Sequence, residues 1–432
     1  MHVVLVTAAA VRHDYVHTES GQVDSSLPTL GRLAGDATVF SRAYTSSPDH
    51  ESTLRAILTG THPTEDLGIG PTLVDTLSES GWDVGLFHGE PAESERATWG
   101  FEVPEDATPS STSERVRRAV GRQIADGTTL GGPLSAVDRL LGSSLGVSVS
   151  STPSHSGEDV TERALSWLDD SSEPQFLWVH YGDASAPHVP RENTVSADVD
   201  PQTATKLAHA TQHAPESLTD EERATLETLY RGELEHLDRC VGRLFDGVRS
   251  RLDVADTVTA FAGTSGCPLG ERGTWYDTRG DFHDESMHVP LYMHGPDFDA
   301  EEVGFAASSV DVLPTLFAAA GVERDAQRGG SDLRAFVGRH VTERQVFAAA
   351  GDAPTGAMVC NGRWKLSRRL REGHETLFDH EDDEKEVRDR SGENLPVHRA
   401  LSHALDCFVE SRRNKRANEP RRRTPPKSET GH

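Results

Sequence analysis

The chain has 432 residues, with 70 Asp plus Glu against 43 Lys plus Arg, a formal net charge of -27 and only 6% aromatic residues. The acidity is spread along most of the chain, which excludes general nucleic-acid binding by the folded body, since attraction to a polyanion needs a basic surface. Four cysteines (Cys240, Cys267, Cys360, Cys407) lie far apart without CxxC spacing, which excludes a zinc ribbon and a disulfide framework and leaves reduced structural thiols.

Taken in order, apolar runs alternate with amphipathic stretches, the pattern of a large, mostly parallel sheet flanked by helices. Strands are expected at Val3 to Thr7, Val84 to Phe87, Gln175 to Tyr181, Thr257 to Ala262 and Val289 to Met293. Helices are expected at Leu27 to Ala34, Glu51 to Leu58, Pro71 to Ser80, Glu158 to Leu168, Asp220 to Arg249 and Val310 to Ala320. The Ser, Thr and Gly-rich stretch 106–156 reads as a flexible surface insertion. After Gly329-Gly330 a small antiparallel α+β unit, 345–410, follows the main unit, 1–340; its strands are Val346 to Ala349, Ala357 to Val359 and Arg363 to Ser367, closed by a helix from Leu395 to Glu410. The basic, Pro-containing stretch 411–432 reads as a disordered tail that pairs loosely with the chain's own carboxylates.

A strand starting at His2 leaves no room for a charged and an apolar leader segment, and no stretch approaches the roughly 20 apolar residues of a membrane span. A cytoplasmic protein is therefore expected. Its oligomeric state is not encoded in any motif.

Several stretches carry a family resemblance. Val4-Leu5-Val6-Thr7 with Val11-Arg12-His13-Asp14, Leu27-Pro28-Thr29-Leu30 with Phe40-Ser41-Arg42-Ala43-Tyr44, and Ile57-Leu58-Thr59-Gly60-Thr61-His62-Pro63 resemble successive motifs of sulfatases, the branch of the alkaline phosphatase superfamily. The likeness continues in Phe176-Leu177-Trp178-Val179-His180-Tyr181, in Val310-Asp311-Val312-Leu313-Pro314-Thr315-Leu316, and in Gly362-Arg363-Trp364-Lys365 with Leu377-Phe378-Asp379. The resemblance implies an alkaline-phosphatase-like α/β fold with a small C-terminal antiparallel α+β subdomain. It also implies hydrolysis of sulfuric or phosphoric esters by a nucleophile at a helix N-terminus beside a divalent cation.

The positions that would do this work are altered. The aspartate that ends the family's first strand aligns with Ala9 and its neighbour with Ala10, and the later Asp-His pair aligns with Thr264 and Ser265. The nucleophile position holds His50, the acid/base histidine after Asp183 aligns with Ser185, and a Glu-His-Gly element reads Glu271-Arg272-Gly273. Methyl and hydroxyl groups supply neither the charge nor the nitrogen donor that a cation site uses. His50, Asp49 and Asp183 remain the candidate catalytic residues, although an Asp-His pair before a helix is more often a cap.

Two readings follow. One is a noncatalytic, degenerate family member that needs no cofactor and binds an anion or a protein partner, with Arg12, His50, His88, Arg272 and Arg279 as the cationic groups. The other is an active ester hydrolase with rebuilt ligands, in which His283, Asp284 and His288 hold a divalent metal, Ca²⁺ or Mg²⁺ ahead of Zn²⁺. The acidic surplus and the scarcity of lysine (five residues) also resemble proteins of salt-accumulating haloarchaea, where multimolar salt screens carboxylate repulsion.

Overall fold

The computed structural model describes residues 1–18, 20–62, 76–77, 80–88, 156–322, 329–339, 344–350, 355–393 and 395–417. Among these residues the main sheet has seven strands, in the order β4-β5-β1-β6-β7-β2-β8. These are β1 (His2–Ala8), β2 (Thr38–Phe40), β4 (Asp83–His88), β5 (Gln175–Tyr181), β6 (Thr257–Gly263), β7 (Leu291–His294) and β8 (Glu301–Val303), with β3 (Ala43–Tyr44) and β9 (Ala307–Ser308) pairing apart from them. β4, β5, β1 and β6 run parallel, and β7 is antiparallel to both β6 and β2. The expected strand Val289 to Met293 begins later, at Leu291, because Pro290 has no N–H to give to a ladder.

β1 and β5 are buried along their whole length, so alternate side chains serve two helical layers. Val4, Val6 and Ala8 join Leu177, Val179 and Tyr181 in one core, against α1 (Pro28–Asp36), α3 (Gly157–Asp170) and α5 (Asp220–Arg249). Val3, Leu5, Phe176 and Trp178 face the other core, against α2 (His50–Thr59) and α6 (Val312–Ala319). α4 (Pro201–His213) lies on α5 through Leu207 and Leu226. α5 matches the expected 30-residue helix in full; Thr219 and Glu222 form a reciprocal capping box at its start. The helix expected from Val310 opens instead as a 3-10 turn, Ser309–Asp311, because the Asp311 carboxylate accepts from Ser308 N–H and tightens it.

The second sheet is antiparallel, β10 (Val346–Ala349), β11 (Gly356–Cys360), β12 (Trp364–Arg369) and β13 (His374–Asp379), in that order. α7 (Pro396–Ala417) packs Leu401, Leu405, Phe408 and Val409 on it. This corrects the expectation of a disordered tail from residue 411: the helix continues to Ala417, since Arg and Lys are good helix formers, and the Arg412 guanidinium lies 3.9 Å over the Phe408 ring. The expected insertion 106–156, apart from Ser156, most of the helix at Pro71 to Ser80, and the tail beyond 417 lie outside the described residues. Among the described residues, no helix is long and apolar enough to cross a membrane.

Candidate functional site

The C-terminal ends of parallel strands are where an open α/β sheet collects its functional groups. Here β1 and β6 end side by side, with Ala8 opposite Gly263. The Thr264 N–H donates to Ala8 O at 2.9 Å, and Ala9 N–H donates to Tyr181 O at 2.9 Å. Ala10 takes a left-handed φ of 58°, and its N–H donates to Ser265 Oγ at 3.1 Å. Val11 N–H donates to Ser265 O and the Tyr230 hydroxyl donates to Ala10 O, both at 2.8 Å. Ala9, Ala10, Thr264 and Ser265 are all buried. Two strand ends that would present carboxylates to a hard cation are thus joined by neutral hydrogen bonds, so these residues do not fit such an ion.

α2 packs on the layer of Val3, Leu5 and Trp178. Asp49 is its N-cap and accepts from Ser52 N–H at 2.8 Å, and Gly60 closes the helix with a φ of 64° that glycine adopts without a Cβ penalty. His50 is the first helical residue, and its ring lies parallel to that of His180, 6.1 Å between centroids. Trp178 Nε1 donates to Thr7 Oγ1 at 2.8 Å, and Thr7 Oγ1 meets His180 Nδ1 at 2.9 Å. Rings of Trp178 and His180 are 6.1 Å apart, and His88 stacks on Trp178 at 6.5 Å. The face therefore carries aromatic and imidazole groups.

Other residues singled out from the sequence are held elsewhere. Asp183 turns to the opposite layer, where its carboxylate accepts from Gly157 N–H at 3.0 Å and lies 3.4 Å from His236 Nε2. Burial would raise this carboxyl, but His236 and the Gly157 N–H hold it below the usual range. Ser185 closes the turn after β5, its N–H on Gly182 O at 2.9 Å. Nearby, His188 Nε2 donates to Ala184 O at 3.0 Å, the ring packs on Tyr230 and Tyr276, and burial drives its pKa down to about 4.

The expected cations are largely neutralised locally. Arg12 is buried and pairs with Asp14 at 2.7 Å and with Glu271. Arg272 pairs with Glu285 at 3.1 Å and donates to the carbonyls of Lys385 and Glu386. Arg279 is exposed and pairs with Asp277 at 2.9 Å.

Of the trio His283, Asp284 and His288, only the last two come together, at 3.7 Å; His283 turns to Asp281. Asp284 instead joins His380 and Glu386, three donors close enough to surround an ion. The Lys365 ammonium already lies between their carboxylates, on Asp284 and 2.5 Å from Glu386 Oε1. Burial favours neutral lysine, yet these two anions outweigh it and raise its pKa; burial likewise opposes an ionised Asp284, and Lys365 and His380 push its pKa down. Asp284–Lys365–Glu386 is an internal ion network tying the two sheets together. Its members come together only in the tertiary fold, so no local pattern marks it.

A family model described as Sulfatase matches residues 1–322. A choline-sulfatase of Rhizobium meliloti (strain 1021) is 30% identical over 154 residues, which is 34% of this chain and 30% of that protein. The chain thus spans under a third of the length of that curated relative. The phosphonate monoester hydrolase of Agrobacterium radiobacter superposes with a TM-score of 0.64 at 17% identity, covering 96% of this chain and 95% of the other. A 2-O GAG sulfatase superposes with a TM-score of 0.65 at 16% identity, covering 97% and 94%. At such identities the superpositions show the shared fold, a large mostly parallel sheet with a small C-terminal antiparallel sheet.

Proposed function

This chain belongs to the sulfatase family, and on that premise we propose that it keeps the family's scaffold while having lost its cation-assisted ester hydrolysis. One observation carries the reading: Ala10 N–H on Ser265 Oγ, with Thr264 on Ala8 O, stands where the family resemblance puts the ligand carboxylates. A divalent ion there would give up hydration for methyl groups and satisfied hydroxyls. His50 replaces the nucleophile, and Asp49 beside it is engaged as a helix cap.

In this reading the strand-end face is a binding surface for an anionic group or an anionic segment of a partner. His50, at the positive end of α2, and His88 supply imidazole groups to it. The activities named for the choline-sulfatase and the phosphonate monoester hydrolase define the ester classes to test. The acidic, lysine-poor composition supports a protein adapted to multimolar salt.

The test is turnover of aryl sulfate, aryl phosphate and aryl phosphonate esters in multimolar KCl with Ca²⁺, Mg²⁺, Mn²⁺ or Zn²⁺, for the native chain and His50→Ala. No difference between the two is expected. Metal-dependent turnover that disappears in His50→Ala would establish a rebuilt enzyme instead.

A further inference from the structure

On the layer of the sheet opposite His50, three elements bring unlike donors together. His236 and Cys240 stand one turn apart on α5, Glu158 lies in the first turn of α3, and Asp183 follows the end of β5. His236 Nε2 is 3.3 Å from Glu158 Oε2, 3.4 Å from Asp183 Oδ1 and 3.7 Å from Cys240 Sγ. Donor atoms of Glu158, His236 and Cys240 all lie within 4.8 Å of one another. We propose that Glu158, His236 and Cys240, flanked by Asp183, form a binding site for a thiolate-preferring divalent cation of the zinc type.

The spacings fit this better than a hydrogen-bond cluster. A charge-assisted N–H···O bond is about 2.7–2.9 Å long, and one Nε2–H cannot serve two carboxylates well. Zinc bonds of about 2.0–2.3 Å in a tetrahedron place neighbouring donors roughly 3.3–3.6 Å apart, close to the three separations from His236. Cys240 is 4% exposed and His236 5%, whereas the Glu158 side chain is 50% exposed, which gives an ion a way in and leaves a fourth position to water. Gly157 keeps the space open: a Cβ there would lie 2.8 Å from Asp183 Oδ2 and 2.9 Å from Cys240 Sγ.

On binding, the S–H proton leaves to solvent as the sulfur–metal bond forms, and the ion's two positive charges compensate the thiolate and the carboxylates. A Cys, His and carboxylate set selects zinc-type ions over Ca²⁺ or Mg²⁺. The site uses none of Ala9, Ala10, Thr264 and Ser265, and it stands whether or not ester hydrolysis survives.

The probe is Co²⁺ titrated into full-length protein stripped of metal by a chelator. One equivalent should bind with a thiolate-to-cobalt charge-transfer band and be displaced by Zn²⁺. Cys240→Ser should abolish the band, and Glu158→Gln, at a half-exposed position, should weaken binding at least tenfold. Cys407→Ser, at the exposed cysteine beside His403, should leave both unchanged. Absence of the band, its persistence in Cys240→Ser, or unchanged affinity in Glu158→Gln overturns the site; should Cys240→Ser fail to fold, Glu158→Gln decides alone.

Discussion

Ala10 and Ser265, 255 positions apart in sequence, are joined by a hydrogen bond of 3.1 Å from the Ala10 N–H to the Ser265 hydroxyl. The bond holds the turn after β1 in its left-handed conformation and ties it to the turn after β6. A position suited to concentrating negative charge is thereby neutral and internally satisfied. Returning charge to it should be costly unless a cation comes too.

Ala9→Asp is therefore expected to lower stability by on the order of 3 kcal/mol, measured by chemical denaturation, because Ala9 is buried and a lone carboxylate there has no counterion. In Ala9→Asp/Thr264→Asp, millimolar Ca²⁺ should recover part of the loss. An equal response to Ca²⁺ in the native chain would mean that the charge was not the missing element.

Lys365→Met should cost about 3–5 kcal/mol, since it leaves half-buried Asp284 and fully buried Glu386 facing each other without their ammonium. Melting of the double variant Lys365→Met/Glu386→Gln is informative: recovery of a substantial part of the loss is expected, and a loss equal to the sum of the single changes would show that the network is not coupled.

Acid should destabilise the fold before its carboxylates titrate. Burial lowers the pKa of His13, His17, His188 and His288, to about 4 for His17 and His188. A histidine whose folded pKa lies below the unfolded value of about 6.5 takes up protons preferentially on unfolding, so stability is full above that pH and falls as pH drops towards 4. For His17 the contribution is about 3 kcal/mol. His13 stacks between His17 at 4.2 Å and His288 at 3.9 Å. His13→Phe keeps the stack and removes one titrating ring, so denaturation midpoints should fall less steeply between pH 6.5 and 4.5; an unchanged slope would count against these shifts.

The scaffold was readable because local pattern and tertiary role agree in it. Gln175 to Tyr181 and Asp220 to Arg249 are a continuous apolar run and a long amphipathic stretch, and both appear with those limits. What remained hidden depends on long-range neighbours. Arg12 looks like a free cation until Glu271 arrives beside it, and Asp183 looks catalytic until the N-terminus of α3 takes its carboxylate. His236 and Cys240 have the i, i+4 spacing of a helical donor pair, but nothing in the sequence says that Glu158 meets them. Basic charge, proline and low apolar content mark 411–432 as a tail, whereas helix propensity and Phe408 extend α7 through its first residues.

Salt should act strongly on the whole molecule. With a net charge of -27, repulsion reaches about 10 Å at 0.1 M salt and about 3 Å at 1 M. The melting temperature should therefore fall steadily as KCl is diluted from multimolar to 0.1 M. A flat dependence would remove the basis for salt adaptation.

The most direct measurement is calorimetric titration of the native chain with Ca²⁺, and separately Mg²⁺, in multimolar KCl, alongside Ser265→Val. Only weak heats that are the same in both proteins are expected, from the acidic surface. A stoichiometric site in the native chain that disappears in Ser265→Val would contradict the account, because it would put a cation where the strand ends are described as closed on themselves.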